Sequence, residues 1–231
     1  MEAQNITLGE GDHSVVVKIR FSKRARSYAI RMSILKGVEL VIPFKANVNQ
    51  AYQFLLKKEE WVKNKFAQLK RPDQIAIKIG SRIPILGVWH TIVASNDNTT
   101  DPHTLSLRSY EDNISTWELK RILFSLLRQN IEATARKISI TLGVTYRKIS
   151  IRDTRSRWGS CSTNGNLSFS WRLIFAPVSI VEYVVAHELC HLREMNHSPK
   201  FWKQVQTVCP DYKQARSWLR KNGYTLHSYL I

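Results

Sequence analysis

Five residues restrict this chain most: His187-Glu188-Leu189-Cys190-His191, set inside the apolar run VEYVVAHELCHLRE. Val181, Val184, Val185, Leu189 and Leu192 recur at the spacing of a helix stripe that faces a core. Two histidines four residues apart lie on one helix face, about 6 Å apart along the axis. Their rings can converge on one Zn²⁺, with Zn–N bonds of about 2.0–2.1 Å. Glu188, next to the first histidine, can reach a water on that metal without binding the metal itself. Three polar side chains beside an apolar stripe need partners, because unsatisfied polar groups are costly to bury. Histidines that merely cap or pack would leave Glu188 a coincidence.

His197 follows His191 by six residues. Met195-Asn196 can end the helix, since Asn tolerates a left-handed turn, and the chain can then fold back to offer His197 as third ligand. Three protein ligands leave a fourth position open, as catalytic zinc requires. Ser198-Pro199 reads as an N-cap and first-turn proline for a short helix, FWKQVQTVC. Phe201 and Trp202 are expected to pack the loop of the third ligand, and Cys190 reads as a small buried hydrophobe.

The rest of the chain has to build a scaffold for that helix. Residues 14–43 read as strands (VVVKIRF, SYAIRMSI, GVELVIP) and 47–69 as one helix capped by Asn47 or Asn49. Residues 74–94 return to strand character, with Gly80-Ser81 as a turn and Gly87 as a bulge. Turn formers (95–103), a short strand near 104–108 and an acidic link, YEDN (110–113), follow. Trp117 to Leu142 carries a helical stripe stopped by Gly143. Residues 145–152 alternate as a strand, and Asn164-Gly165 joins two further strands within RSRWGSCSTNGNLSFSWRLI. Pro177 opens the motif helix, Pro210-Asp211 opens the last helix, and Gly223 ends it. The expected boundary divides a β-rich region with one helix, 1–112, from a second domain, 113–231.

Thirty-five Lys and Arg against 18 Asp and Glu give a net charge of +17. The excess is uneven: residues 119–231 hold 18 basic and 6 acidic side chains. An anionic partner, such as nucleic acid, nucleotide or acidic peptide, is one reading, and a solvated basic surface is the other. Arg147, Lys148, Arg152, Arg155 and Arg157 lead into WGSCS, and strand alternation would put Arg155 and Arg157 on one face. Three scattered cysteines, no apolar run of membrane-spanning length and a polar N-terminus lead to the expectation of a reducing, cytoplasmic setting.

WGSCS at 158–162, the hairpin, WRLI, a proline and then VVAHELCHLREMNHSPKFW together resemble the YgjP-like metallopeptidase domain. That family is related to the SprT-like and other zincin peptidases. The specific match runs from about Arg155 to Trp202, and IRMSILKGVELVIP with WV at 61–62 is similar to the family's N-terminal part. The resemblance implies an α+β fold with a zincin-like minimal core: a mixed sheet, a backing helix and the HExxH helix. It implies one Zn²⁺ held by His187, His191 and His197, with Glu188 as general acid/base, and suggests that RSRWGSCS or its hairpin partner lines the cleft. Arg155, Arg157, Ser160 and Tyr183 are the candidate substrate-binding residues, and His227 is a further candidate donor to a developing oxyanion. Besides peptide hydrolysis, the basic stretch leaves open a nucleotide (pyro)phosphohydrolase, in which arginines hold phosphates, or a nucleic-acid-associated protease. A binding module with structural zinc fits less well, since such sites usually have four protein ligands.

Overall fold

The period-two pattern of the N-terminal segments buries alternate residues when they pair, and the period-3.6 stripes of the later segments do the same for helices. The computed structural model of the chain describes residues 5–10, 14–33, 37–67, 74–94, 103–107, 109–110, 113–154 and 156–230. Residues 68–69 of the first expected helix, turn formers 95–102, 111–112 of the acidic link and Arg155 lie outside the described residues. The chain forms two units, Met1–Pro72 and Asp73–Ile231. The expected division at 112/113 falls inside the second. There Ile83, Ile85, Ile92 and Leu107 share one core with Leu119, Leu123 and Leu127.

In the first unit, β1 (Asn5–Leu8), β2 (Val15–Ser22), β3 (Ala29–Ser33) and β4 (Gly37–Pro43) form a sheet of order β1-β2-β4-β3. β2 and β4 are parallel, and the other two pairings are antiparallel. β1 has no counterpart in the sequence reading. Its pattern is short and polar, and pairing with β2 rather than composition makes it a strand. The expected single helix is two: α1 (Val48–Leu56) and α2 (Glu59–Ala67). Asn47 caps α1, its side chain accepting from the amides of Asn49 and Gln50. α1 stops at Lys57, where the Lys58 amide donates to the Leu55 carbonyl in a tighter turn. Ala51, Leu55 and Val62 then cover Val17, Val38, Leu40 and Ile42 of the sheet.

The second unit begins with β5 (Ile75–Ala76), β6 (Arg82–Ile85), β7 (Val88–Ala94), β8 (Thr104–Leu107), β9 (Ser109–Tyr110) and β10 (Asn113–Ile114). Gly87 is not a bulge: with Leu86 it forms the tight turn between β6 and β7, both residues having positive φ (50° and 92°). α3 (Thr116–Leu142) follows. The Ser115 side chain accepts from the Glu118 amide at its start, and left-handed Gly143 (φ 60°) closes its end. Its stripe of Leu119, Leu123, Leu127, Ile131, Ala135 and Ile138 is buried.

α3 backs a mixed sheet of β11 (Lys148–Arg152), β12 (Gly159–Cys161) and β13 (Asn166–Ser170), in the order β11-β13-β12. β11 runs parallel to β13 and β12 antiparallel to it, which leaves β12 at the edge. Trp171–Phe175, read from sequence as strand, is a buried 3-10 turn instead. It delivers the chain to Pro177 and α4 (Val178–Cys190), followed by α5 (Pro199–Val208) and α6 (Tyr212–Asn222). Gly223 ends α6 as the sequence suggested, as a right-handed cap residue (φ −55°). The chain continues into a 3-10 turn, Gly223–His227, before β14 (Tyr229–Leu230) pairs with β5. A Cβ at Gly223 would lie 3.0 Å from the Trp158 ring, so this glycine serves close packing. The fold class is α+β, and the second unit has the mixed sheet, backing helix and HExxH helix expected of it. Among the described residues no helix is long and apolar enough to cross a membrane.

Candidate active site

α4 is apolar on most of its surface, and Val181, Val184, Val185, Ala186, Leu189 and Cys190 are all buried. That burial fixes the rotation of the helix and so the direction of its polar residues. The helix ends earlier than the sequence suggested, at Cys190, with His191 as a right-handed cap residue (φ −64°). Met195-Asn196 does not end it. The amides of Arg193 and Glu194 both donate to the Cys190 carbonyl, making one more turn. Asn196 acts through its side chain instead, its Oδ1 accepting from the Ser198 amide at 2.9 Å. Ser198 Oγ in turn accepts from the Phe201 amide as the cap of α5. His197 is thus held between two residues whose side chains fix the local backbone.

The three histidines come together. One ligand atom from each of His187, His191 and His197 lies within 4.8 Å of the others. The Nε2 atoms of His187 and His197 are 3.0 Å apart. Tetrahedral bonds of 2.0–2.1 Å would separate neighbouring nitrogens by about 3.3 Å, so the spacing suits a zinc-sized ion. His191 Nδ1 lies 3.1 Å from the Glu194 carbonyl, which can only accept. The proton therefore sits on Nδ1 and leaves Nε2 as the available lone pair. This orienting carbonyl was not visible in the sequence, because it depends on the turn after α4. Phe201 forms the floor, with its ring centre 5.0, 4.6 and 4.8 Å from those of His187, His191 and His197. Trp202 lies 5.8 Å from His187 and 5.7 Å from His197. Both aromatics pack the loop that carries His197, as expected.

This environment is hostile to protonated imidazole. Burial, then the neighbouring His191, His197 and Arg216, hold the pKa of His187 down to about 3. Burial also lowers that of His191. Neutral imidazole is the form that binds metal. The buried Nδ1 of His187 has no hydrogen-bond partner among the described residues.

Glu188 is 6% exposed. Burial pushes its carboxyl up to about 7, and the charge of Arg157 opposes part of that rise. Its place depends on Gly159, at the start of edge strand β12. A Cβ there would lie 2.5 Å from Glu188 Oε1 and 2.6 Å from its Cγ. Sequence reasoning passed over Gly159, although it is the glycine of WGSCS, because the reason for it is a contact between a strand and a helix.

Of the other candidates, Arg157 is exposed and acts on Glu188 through its charge. It lies ahead of the strand, in a turn where Thr154 Oγ1 donates to the Arg157 carbonyl. The expected extended run through Arg155 and Arg157 is therefore absent at Arg157. Ser160 is half-buried on β12, opposite Ser168. Tyr183 is one turn before His187, its ring 5.9 Å away, and burial raises its phenol to about 12. His227 packs on Trp158 with ring centres 5.2 Å apart.

A histidine trio beside a buried carboxylate, against an edge strand, defines the class: a metal-dependent hydrolase of the metallopeptidase kind. Residues 26–222 match the family described as YgjP-like, metallopeptidase domain, and the chain belongs to that family. Two solved structures are similar to parts of it. The metallopeptidase zymogen abylysin of Pyrococcus abyssi is 22% identical, with 39% of this chain and 93% of that one covered and a TM-score of 0.36. The zymogen jannalysin of Methanocaldococcus jannaschii is 18% identical, with 40% and 88% covered and a TM-score of 0.36. No curated protein matches.

Proposed function

We propose that the chain is a zinc peptidase in which His187, His191 and His197 hold one ion and Glu188 is the general acid/base. The convergence of three imidazoles within 4.8 Å carries this reading. Bound zinc would supply a Lewis acid and draw the pKa of water toward about 7. Glu188, with a carboxyl near 7, accepts a proton from the attacking water and returns it to the leaving amine. The Glu194 carbonyl keeps His191 in the tautomer that offers Nε2, and fully buried Phe201 excludes water from behind the rings. The edge of β12, next to Glu188, suits an extended peptide that pairs by backbone hydrogen bonds. No observation favours the phosphoanhydride or nucleic-acid readings, since Arg157 stands ahead of the strand that was to align it with Arg155.

The test is cleavage of unfolded protein by the zinc-loaded chain. Cleavage that stops on chelation, returns with zinc and is lost in Glu188→Gln supports the reading. Full activity in Glu188→Gln, or hydrolysis of nucleoside triphosphates without proteolysis, would refute it.

A further inference from the structure

α6 carries a cation toward the site that the mechanism above does not use. Arg216 and Tyr212 are four residues apart on one face of α6 and both meet Trp202 of α5. Tyr212 stacks on the indole (5.3 Å, 19°), and the Arg216 guanidinium sits 4.8 Å from its ring centre. Such cation–π contact holds a guanidinium in place without neutralising it. Trp202 is in turn 5.7 Å from His197 and 5.8 Å from His187. The guanidinium is therefore no farther from the His197 ring than the sum of 4.8 and 5.7 Å, whatever the angle at Trp202.

Two arginines of this unit form ion pairs, Arg172 with Asp153 and Arg128 with Glu132. Among the described residues no carboxylate pairs with Arg216. Arg216 is exposed, and a guanidinium set on an aromatic ring near a cation site, with no carboxylate partner among the described residues, is a place for an anion; its planar fork matches a carboxylate. An extended peptide advances about 3.3 Å per residue, so a guanidinium at this range meets a group within about three residues of the bond being cut.

We infer that Arg216 is a specificity-determining residue that receives a substrate carboxylate, from an Asp or Glu side chain or a chain terminus, within three residues of the scissile bond. The inference rests on the peptidase reading above and names its substrate class: acidic peptides.

The experiment compares zinc-loaded wild type, Arg216→Gln, Arg216→Glu and Arg157→Gln on a peptide set. The set has Glu, Gln or Lys at each of three positions on either side of the cleaved bond, with free or amidated C-termini. Wild type should favour acidic peptides about tenfold or more, chiefly through KM, as expected for one charge-assisted contact. Arg216→Gln should lose that ratio, and Arg216→Glu should shift preference to Lys peptides, a gain that misfolding cannot produce. Preference lost only on amidation assigns the carboxylate to the terminus, and preference kept on amidation assigns it to a side chain. In the zinc-loaded Glu188→Gln background, an uncleaved acidic peptide should bind with salt-sensitive affinity that falls about tenfold in Arg216→Gln. An unchanged ratio in Arg216→Gln, or loss of preference in Arg157→Gln instead, would overturn the inference. Cleavage without charge preference would defeat the Arg216 role alone, whereas zinc-loaded wild type that cuts no peptide would defeat the peptidase reading itself.

Discussion

The two units bury different things. Among its described residues the first buries only apolar side chains: Leu8, Val15, Val17, Val38, Leu40, Val41, Ile42, Ala51, Leu55 and Val62. Its ion pairs, such as Lys63 with Glu59 and Glu60, are at the surface. The second buries apolar residues too, and with them Ser170, Arg172, Glu188 and Ser228. A buried carboxyl raised to about 7 and a half-buried imidazole lowered to about 3 oppose folding in their charged forms. The first unit is built as a scaffold is, with nothing ionisable buried among its described residues. The second gives up stability to hold charged groups where chemistry needs them.

The largest effect that would sharpen this contrast is on turnover. Glu188→Gln should lower kcat by about 10²–10⁴-fold while zinc remains bound, as checked by kinetics and metal analysis on one sample. Gly159→Ala comes next. Its methyl would overlap the Glu188 carboxyl, and a displacement of about 1 Å is enough for roughly 10²-fold loss. The metal should still bind, because the three atoms nearest that methyl all belong to Glu188.

The third effect is on stability, and its sign follows from the direction of each shift. Glu188 holds its proton more tightly in the folded chain than in the unfolded one, so it destabilises the fold progressively as pH rises from 4.5 to about 7. In the metal-free protein, Glu188→Gln should therefore be more stable than wild type above pH 7, by about 3 kcal/mol, with no difference below pH 4.5. His187 acts in the opposite direction. Its folded pKa is depressed from 6.5 to about 3, so metal-free stability falls as pH drops through that window, in wild type and Glu188→Gln alike. Chemical denaturation at pH 4, 6 and 8 separates the two. An equal pH response of wild type and Glu188→Gln would break the contrast between the units. The smallest effect is that of the ion on folding: zinc at 100 times its Kd should raise the stability of the second unit by about 2.7 kcal/mol. Chelation should reverse the gain.

Much of this was legible in the sequence, for local reasons. α3 could be placed almost to the residue because its apolar stripe begins near Trp117 and Gly143 marks its end in the chain itself. His187, His191 and Glu188 follow from helix periodicity, and His197 from its place six residues on, in the bend before the Ser198-Pro199 start of α5. What was missed depends on contacts between segments distant in sequence. β1 exists through pairing with β2, and Gly159 is required by Glu188, twenty-nine positions later. The partner of Arg216 is an indole fourteen residues earlier, on a different helix. Asn196 was recognised as a turn residue but assigned the wrong device: its side chain accepts a hydrogen bond, and its backbone does not turn left-handed.

The central claim is that three imidazoles share one ion, and zinc X-ray absorption on the loaded wild type and on His197→Ala tests it most directly. The account predicts one zinc per chain with three imidazole nitrogens at about 2.0–2.1 Å in wild type, and one fewer in His197→Ala. A sulfur neighbour, or a nitrogen shell that His197→Ala leaves unchanged, would contradict it.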